Sequence, residues 1–307
     1  MKIKLFTHTD LDGIGCAILA KNEVFGNNIE IEYCDYNNVN EKILEFINSK
    51  TVDVLSYDKV FITDISINEE IANTIDLCFN NFILLDHHQT AGWLNKYMWA
   101  NVVDTINEEK TSGTELFYNY LCDKNLIDVF SDWNENTKNF VQIVKKYDTW
   151  LWKEKYNDDI PKKWNDLLYI YGRDRFIEKV CEKLDNNTTL LDMTDITLLQ
   201  LNQEKIDRYI ESKQKQIIEK DILGYKAGIV FAEQYHSECG NVLATNNSHL
   251  DFIVLINPSY FVSYRTVKDI NLGTDIAKIY GGGGHPKAAG SPISDEMRNK
   301  IIEIILA

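Results

Sequence analysis

The sequence has 307 residues and is strongly acidic, with 47 Asp and Glu against 32 Lys and Arg and a formal net charge of −15. A chain of this length forms one large domain or two, and its hydrophobic fraction of 44% excludes wholesale disorder. Because an acidic protein repels long polyanions, the charge argues against a long duplex nucleic acid as partner. Any phosphate ligand should therefore be small or be reached through bound cations.

The setting predicted from composition is reduced and cytoplasmic. The longest apolar runs fall short of the roughly eighteen residues needed to cross a bilayer, so we expect no membrane association. The start, MKIKLFTHTD, turns polar at its seventh residue, which is not typical of a signal peptide. The six cysteines stand singly with no CxxC pair, which argues against a zinc cluster or a disulfide framework.

Strand-like runs alternate with helical patterns through the first half. Strands are predicted at 3–6, 29–33, 59–63 and 82–85, and helices at 12–25, at 40–49 and after Ser66 or Asn68, either of which could cap. This alternation predicts an α/β fold with a parallel, doubly wound sheet. Helices dominate from 111 to 185, including one at 136–150 with Asn136 or Thr137 as its predicted cap.

The second half begins differently. Residues 186–222 read as a turn-rich stretch and a long polar amphipathic helix, which is typical of a connection between domains. Beyond it come β-like runs at 226–233, 251–256 and 260–267, a helical stretch at 274–280, a glycine run and a final helix at 295–306. We therefore predict an α/β domain over 1–185, a helical linker over 186–222 and a smaller α/β domain over 223–307.

Acidic and imidazole side chains follow the predicted strands of the first half. They are His8, Asp10 and Asp12 after the first strand, Asp64 after the third, Asp86, His87 and His88 after the fourth, and Asp148 beyond a later helix. His8, Asp10 and Asp12 are spaced two residues apart, so in an extended backbone their side chains would lie on the same side. The carboxyl ends of parallel strands meet at one edge, so these side chains are expected to converge.

Carboxylates packed together without cations repel each other and have raised pKa values. A mixed carboxylate and imidazole set without thiolate suits Mn²⁺ best, with Mg²⁺, Co²⁺ or Fe²⁺ as alternatives. Taken singly, Asp12 and Asp64 could be helix caps and Asp148 a solvated acid. Because caps do not need histidines beside them, the pattern favours a metal centre.

A second group of candidates lies in the predicted smaller domain. The run GGGGHPKAAG (281–290) lets backbone N–H groups approach an anion, and Pro286 suits the first turn of a helix facing that anion. Arg265, on a predicted strand, could bind a phosphate bidentately. The alternative for the glycine run is a flexible linker, and the alternative for Arg265 is an ordinary surface residue of a strand. His236 and Asn241 are further pocket candidates, whereas His249 reads as an ordinary surface histidine.

The order of these motifs resembles that of the DHH phosphoesterase superfamily. The first domain carries HTDLDG, TDIS, LDHH and YDTW, and the second carries SYRT and GGGGHPKAAG, which resemble the DHH-associated domain. Within the superfamily, YHSECGN, YDTWLW and YGGGGH are similar to stretches of NrnB-type oligoribonucleases, or nanoRNases. One departure is the single residue between His8 and Asp10, where several relatives have three.

The resemblance implies roles for these residues. Two Mn²⁺ ions per chain are implied, one held by His8 and Asp10, the other by Asp12, His87 and Asp148, with Asp64 bridging both. The implied catalytic set is Asp64, Asp86 and His88, of which His88 would hydrogen-bond the substrate phosphate rather than bind metal. The implied substrate-binding residues of the second domain are Arg265, Gly282, Gly283, Gly284, His285, His236 and Asn241.

The implied activity is a metal-dependent phosphodiesterase of exoribonuclease type, which hydrolyses very short RNA to nucleoside 5′-monophosphates with a water activated by two metals. Alternatives are a phosphatase for 3′-phosphoadenosine 5′-phosphate, a phosphodiesterase for cyclic or linear dinucleotides and, less favoured, a manganese pyrophosphatase. An RNA-binding module without activity is the non-enzymatic alternative. Relatives often pair, so a homodimer is a further expectation.

Overall fold

The computed structural model describes residues 1–21, 26–49, 53–127, 132–258 and 261–306. It divides into two compact units, Met1–Leu199 and Gln200–Ala307. The division falls inside the stretch 186–222 that the sequence predicts as a linker. Over the described ranges, no helix is both long and apolar enough to pass through a lipid bilayer.

The first unit is built on a parallel sheet, as predicted. Its described strands are β1 (Ile3–His8), β2 (Ile29–Cys34), β3 (Lys59–Thr63), β4 (Phe82–Asp86) and β5 (Ala100–Val102). Their order is β2-β1-β3-β4-β5, and every pair is parallel. The sequence did not predict β5 or the small hairpin of β6 (Thr105–Ile106) and β7 (Glu109–Lys110), because strands of two or three residues carry too little pattern.

Helices cover both faces of this sheet and form a further layer. In chain order they are α1 (Leu11–Ile18), α2 (Val39–Ile47), α3 (Glu69–Cys78), α4 (Gly113–Asp123), α5 (Asp132–Asp148), α6 (Leu151–Glu154), α7 (Ile160–Tyr171) and α8 (Arg173–Asp185). Apolar side chains of α2 and α3 pack on one face of the sheet, and those of α1 and α4 pack on the other. A separate core joins α1 to α5, α7 and α8 around the buried Trp164. The doubly wound prediction is therefore confirmed.

Three predicted helix boundaries are affected by local structure. The helix predicted over 12–25 corresponds to α1, which ends at Ile18. Residues 19–21 continue it as a π-helical turn, and residues 22–25 lie outside the described residues. Asn68 caps α3, since its side chain accepts from the N–H of Ile71, whereas Ser66 does not cap it. The predicted caps of α5 are wrong, because the helix already begins at Asp132 and so contains Asn136 and Thr137.

The second unit has a mixed sheet of β8 (Ile218–Ile222), β9 (Tyr225–Phe231), β10 (Phe252–Asn257), β11 (Phe261–Arg265), β12 (Gly283–His285) and β13 (Ala288–Pro292). The order of these strands is β12-β13-β11-β10-β9-β8. Further helices are α9 (Met193–Gln214), which contains the boundary between the units, α10 (His236–Asn246), α11 (Leu272–Asp275) and α12 (Asp295–Leu306). The predicted final helix at 295–306 is confirmed.

The prediction that the long helix runs to residue 222 is wrong. It ends at Gln214, and residues 218–222 form β8, which pairs antiparallel with β9. The connection consists of Leu223 and Gly224, both with positive φ (54° and 84°), which is the geometry of a two-residue hairpin turn. A helical pattern of charged residues masked this short strand.

The glycine run also differs from its prediction. Instead of leading into a helix, Pro286 lies between β12 and β13, which form an antiparallel hairpin. Gly282 is needed for close backbone packing, because a Cβ there would lie 2.0 Å from the carbonyl oxygen of Gly290. The N–H of Gly282 donates to the carbonyl oxygen of Ala277, so it is not available to an anion.

The turn from β1 into α1 explains another difference. His8 is the last residue of β1, Asp10 is the N-cap of α1, and Asp12 lies in its first turn, so the expected extended run 8–12 is wrong. Asp10 accepts from the N–H of Gly13, and Thr7 donates to the carbonyl oxygen of Gly13 at 2.8 Å. The helix start packs directly on the strand end: a Cβ at Gly13 would lie 2.3 Å from the carbonyl oxygen of His8.

We expect Gly13→Ala to destabilise the protein by about 2 kcal/mol or more, because backbone atoms of His8 would have to move. Gly92→Ala is the matched control, since a Cβ there meets nothing within 4 Å, and it should leave stability unchanged or slightly raised. Urea denaturation of both variants tests this expectation. Equal midpoints for the two variants would contradict it.

Candidate metal centre and phosphate-binding residues

Side chains from the strand ends of the first sheet converge at its carboxyl edge. Potential ligand atoms lie within 4.8 Å of one another in three groups: His8, Asp10 and Asp64; Asp12, His87 and Asp148; and Asp64, His87 and His88. All six residues predicted to bind metal thus come together, although Asp12 lies in the first turn of a helix and not in an extended segment. Asp64 belongs to two of the groups.

Two imidazoles lie among the carboxylates. Nε2 of His87 is 3.2 Å from Asp64 Oδ1, 3.4 Å from Asp148 Oδ2 and 3.6 Å from Asp12 Oδ2. Nδ1 of His8 is 2.9 Å from Asp10 Oδ2 and 3.8 Å from Asp64 Oδ2. The donors therefore form two adjacent clusters that share Asp64.

The most buried carboxylates are held by the fold itself. Asp12 accepts from the backbone N–H groups of Gly113 (2.6 Å) and Thr114 (2.8 Å), at the positive N-terminal end of α4. Asp64 has a left-handed backbone (φ 57°), a conformation that Asp tolerates better than most residues. Gly113 allows this close approach, because a Cβ there would lie 2.5 Å from that of Asp64.

Crowding of like charges shifts the titration of these acids. Burial, together with the charges of Asp12, Asp10 and Asp148, raises the pKa of Asp64 well above its usual range. Burial and the charges of Asp12 and Asp10 raise the pKa of Asp148 to about 8. Desolvation works against the charge on both His8 and Asp10, but their contact raises the pKa of His8 and lowers that of Asp10.

The donor set fits a divalent cation. Buried polar atoms almost always have hydrogen-bond partners, yet His8 Nδ1, Asp64 Oδ2 and His87 Nε2 have none. Asp10 Oδ2 lies 2.9 Å from His8 Nδ1 and forms an ion pair with it when the imidazole is protonated. Carboxylate oxygens and imidazole nitrogens suit Mn²⁺ and Mg²⁺. Burial raises the pKa of the Cys16 thiol beneath the cluster, so no thiolate competes from there.

Asp86 and His88 form a separate pair beside the donors. Asp86 is fully buried and accepts from the N–H of His87 (2.8 Å), while its Oδ1 lies 2.7 Å from His88 Nδ1. This hydrogen bond raises the pKa of His88. Nε2 of His88 lies 3.0 Å from the hydroxyl of Tyr36, whose ring also contacts that of His8 at 4.9 Å.

In the second unit, the structure aligns two of the predicted phosphate-binding residues. Arg265 of β11 and His285 of β12 both pair with Ala288 of β13, so they occupy one row and the same face of the sheet. Arg265 packs against Gly240 of α10, and its guanidinium donates to Ser263 and lies 3.3 Å from the hydroxyl of Ser237. His285 is exposed.

The remaining candidates of this unit lie on or near α10. Nε2 of His236 is 2.9 Å from the carbonyl oxygen of Ala232, and its ring packs on Phe261 at 4.8 Å. Asn241 is exposed on the same helix. His249 is exposed, 2.8 Å from Glu219 Oε1, in agreement with its interpretation as a surface residue.

The sequence did not allow three residues that support the candidate metal centre to be predicted: Tyr36, Gly113 and Thr114. Tyr36 follows the end of β2, so the strand-end argument could have identified it, but an aromatic residue attracts less attention than an acid. Gly113 and Thr114, which hold Asp12, lie about a hundred residues away along the chain. Ser112 is the N-cap of α4 and is recognisable as a cap in the sequence. A cap residue indicates where a helix begins, but it does not indicate which side chain the helix end will contact.

Comparison with known proteins agrees with this arrangement. The DHH family, N-terminal domain, matches residues 2–170. The chain therefore belongs to the DHH family.

Individual relatives extend over both units. The chain is 37% identical over 303 residues to oligoribonuclease NrnB of Bacillus subtilis (strain 168), covering 95% of this chain and 73% of that protein. Its fold is similar to the pGpG-specific phosphodiesterase PggH from Vibrio cholerae (TM-score 0.52, 14% identity, 99% and 97% of the chains covered). It is also similar to an exonuclease RecJ bound to manganese (TM-score 0.51, 15% identity, 98% and 88% covered). At these identities, the two structures show the fold alone.

The raised carboxyl pKa values predict how the metal-free protein responds to pH. A folded-state pKa above the unfolded value means that folding takes up protons, so stability should fall as pH rises from about 4 to about 8. We expect the melting temperature without metal to decrease from pH 5 to pH 8, and added Mn²⁺ to raise it more at pH 8 than at pH 5. Differential scanning calorimetry measures both effects.

Asp148→Asn is the control for this prediction, because it removes one titrating carboxyl. Its metal-free melting temperature should depend less on pH than that of the wild type. If the wild type and the variant show the same pH profile, the proposed charge crowding at Asp148 is wrong.

Asp86→Asn should lower the pKa of His88, because the negative partner of Nδ1 is lost. NMR titration of the histidine ring signals measures this shift. The ring signals of His249, an exposed residue of the second unit, are the internal control and should be the same in the variant and the wild type at each pH. A His88 pKa unchanged in the variant would exclude Asp86 as the cause of its elevation.

Proposed function

We propose that this protein is a divalent-metal-dependent phosphodiesterase that hydrolyses very short RNA to nucleoside 5′-monophosphates. The observation that carries the proposal is the convergence of carboxylates and imidazoles on Asp64, with buried ligand atoms that have no hydrogen-bond partner. The 37% identity to an oligoribonuclease supports short RNA as the substrate class. The acidic net charge of −15 agrees with a small substrate.

The two clusters suggest how cations would be held. His8, Asp10 and Asp64 would hold one ion, and Asp12, His87, Asp148 and Asp64 the other. Mn²⁺ is the proposed ion, because the ligand set mixes oxygen with imidazole nitrogen. When bound, such ions offset phosphoryl charge and lower the pKa of water. Mg²⁺ and Co²⁺ are the alternatives.

His88 is proposed to contact the reacting phosphate. Because Asp86 fixes Nδ1 of His88, its Nε2 is the atom left to face a ligand, and the raised pKa favours a proton there. The imidazolium can then donate that hydrogen bond to a phosphoryl oxygen. The Tyr36 hydroxyl, 3.0 Å from Nε2, holds the ring in place until the substrate arrives.

The second unit is proposed to bind a substrate phosphate away from the reacting bond. Support comes from Arg265 and His285, which share one row and one face of the sheet. Arg265 is oriented by Ser237 and Ser263, as expected for a guanidinium that binds an oxyanion. A homodimer stays a prediction.

The test is a side-by-side assay of protein stripped with EDTA and reloaded with Mn²⁺. Substrates are di- to pentaribonucleotides, a 30-nucleotide RNA, 3′-phosphoadenosine 5′-phosphate, linear and cyclic dinucleotides and pyrophosphate. We expect the short RNAs to be hydrolysed fastest, and only with a divalent cation present. Equal rates on the 30-nucleotide RNA and a dinucleotide would contradict the proposal, and so would turnover of pyrophosphate alone.

Asp64→Asn should reduce turnover by about 100-fold or more, because the acid shared by both clusters is lost. Asn tolerates the left-handed backbone at this position, so the fold should be kept. Asp123→Asn, at an exposed position of the same unit, is the matched control and should keep full activity. Unchanged turnover in Asp64→Asn would exclude the proposed centre.

A further inference from the structure

A groove of about 500 Å³ lies beside the metal centre within the first unit. Its lining includes His87 and Asp148 of the candidate centre, together with Gln89, Lys110, Thr111 and Trp150. Its volume suits a single nucleoside or nucleotide rather than a long polymer. The roles proposed above use His87, His88 and Asp148 and leave the wall formed by the other lining residues without a function.

Trp150 on that wall is an unusual residue for its position. It lies two residues after the end of α5 and has a left-handed backbone (φ 62°, ψ 5°), where glycine is the favoured residue. A bulky aromatic residue with this conformation is strained. Burial of the side chain does not offset this strain, because 56% of Trp150 is exposed. Strain without burial suggests that the ring has a ligand-binding role.

The ring of Trp150 is held in position from one side. It stacks on Trp152, with ring centroids 6.0 Å apart and planes at 27°, and Trp152 in turn stacks on Tyr147 at 6.5 Å and 16°. The three rings form a ladder that ends at Trp150. Because Trp150 is separated from Asp148 only by the buried Thr149, the end of the ladder has a fixed relation to the metal centre.

We propose that Trp150 is the stacking platform for a nucleobase of the substrate, in a subsite next to the metal centre. An indole accepts any base on its face, so the contact adds affinity for single-stranded nucleotides without reading sequence. Lys110 also lines the groove and carries a positive charge that can contact the phosphate of that nucleotide, although the carboxylate of Asp104 lines the groove as well. This inference rests on the proposed function and specifies how the base next to the cleaved bond is bound.

The experiment compares Trp150→Gly, Trp150→Phe and the wild type, all loaded with Mn²⁺. Glycine relieves the backbone strain, so its variant should fold, which thermal melting checks. Substrates are a diribonucleotide and two analogues, each lacking one of the two bases. We expect Trp150→Gly to raise KM for the diribonucleotide by about 5- to 100-fold, with a much smaller effect on one of the abasic analogues. Trp150→Phe should keep most of the affinity.

Trp93→Gly is the matched control, because Trp93 is a partly exposed tryptophan of the same unit outside the groove. Its KM should equal that of the wild type. The proposal is overturned if Trp150→Gly leaves KM unchanged. It is also overturned if the variant loses the same factor on all three substrates, since that would mean disturbance of Asp148 rather than loss of stacking.

A separate readout distinguishes this inference from the proposed function. If the wild type hydrolysed no short RNA, the proposed function would fail, and fluorescence titration with adenosine 5′-monophosphate would still test the subsite. Binding by the wild type at least about fivefold tighter than by Trp150→Gly would support the platform. Equal affinities would exclude it.

Discussion

Repulsion between buried carboxylates is the constraint on which the rest of this structure depends. Asp12, Asp64 and Asp86 are almost completely buried, and Asp148 lies beside them. Charges in such a place need positive partners, because the surrounding protein screens them poorly. The fold supplies some of these partners, through the N-terminal end of α4 at Asp12 and through the imidazoles of His8 and His87. A divalent cation would neutralise the negative charge that these partners leave uncompensated.

The order of the sheet makes this concentration of charge possible. The neighbouring strands β1, β3 and β4 all point the same way, so residues far apart in the chain leave the sheet side by side. Close backbone packing then fixes how near the helix starts lie to these residues. Gly13 and Gly113 allow helix starts to approach His8 and Asp64 more closely than any other residue would permit. The same backbone N–H groups that begin α4 hold Asp12 in place.

The sequence allowed the parallel sheet and the converging donors to be predicted, because continuous apolar runs and the residues that follow them are local features. Other features were not local. The contact between Asp12 and Gly113 spans about a hundred residues, and no pattern in either segment announces it. Pro286 suits both a helix start and a hairpin turn, and only the pairing of β12 with β13 decides between them. The strand at 218–222 was hidden by helix-like charge periodicity.

The spacing of the donors along the chain has a consequence for synthesis. Along the chain, Asp148 follows His8 by well over a hundred residues, at the end of a helix whose apolar side chains pack against α1. A nascent chain that has not yet reached Asp148 therefore carries an incomplete set of donors. The candidate centre can therefore assemble only after α5 has packed, because Asp148 is the last residue of that helix.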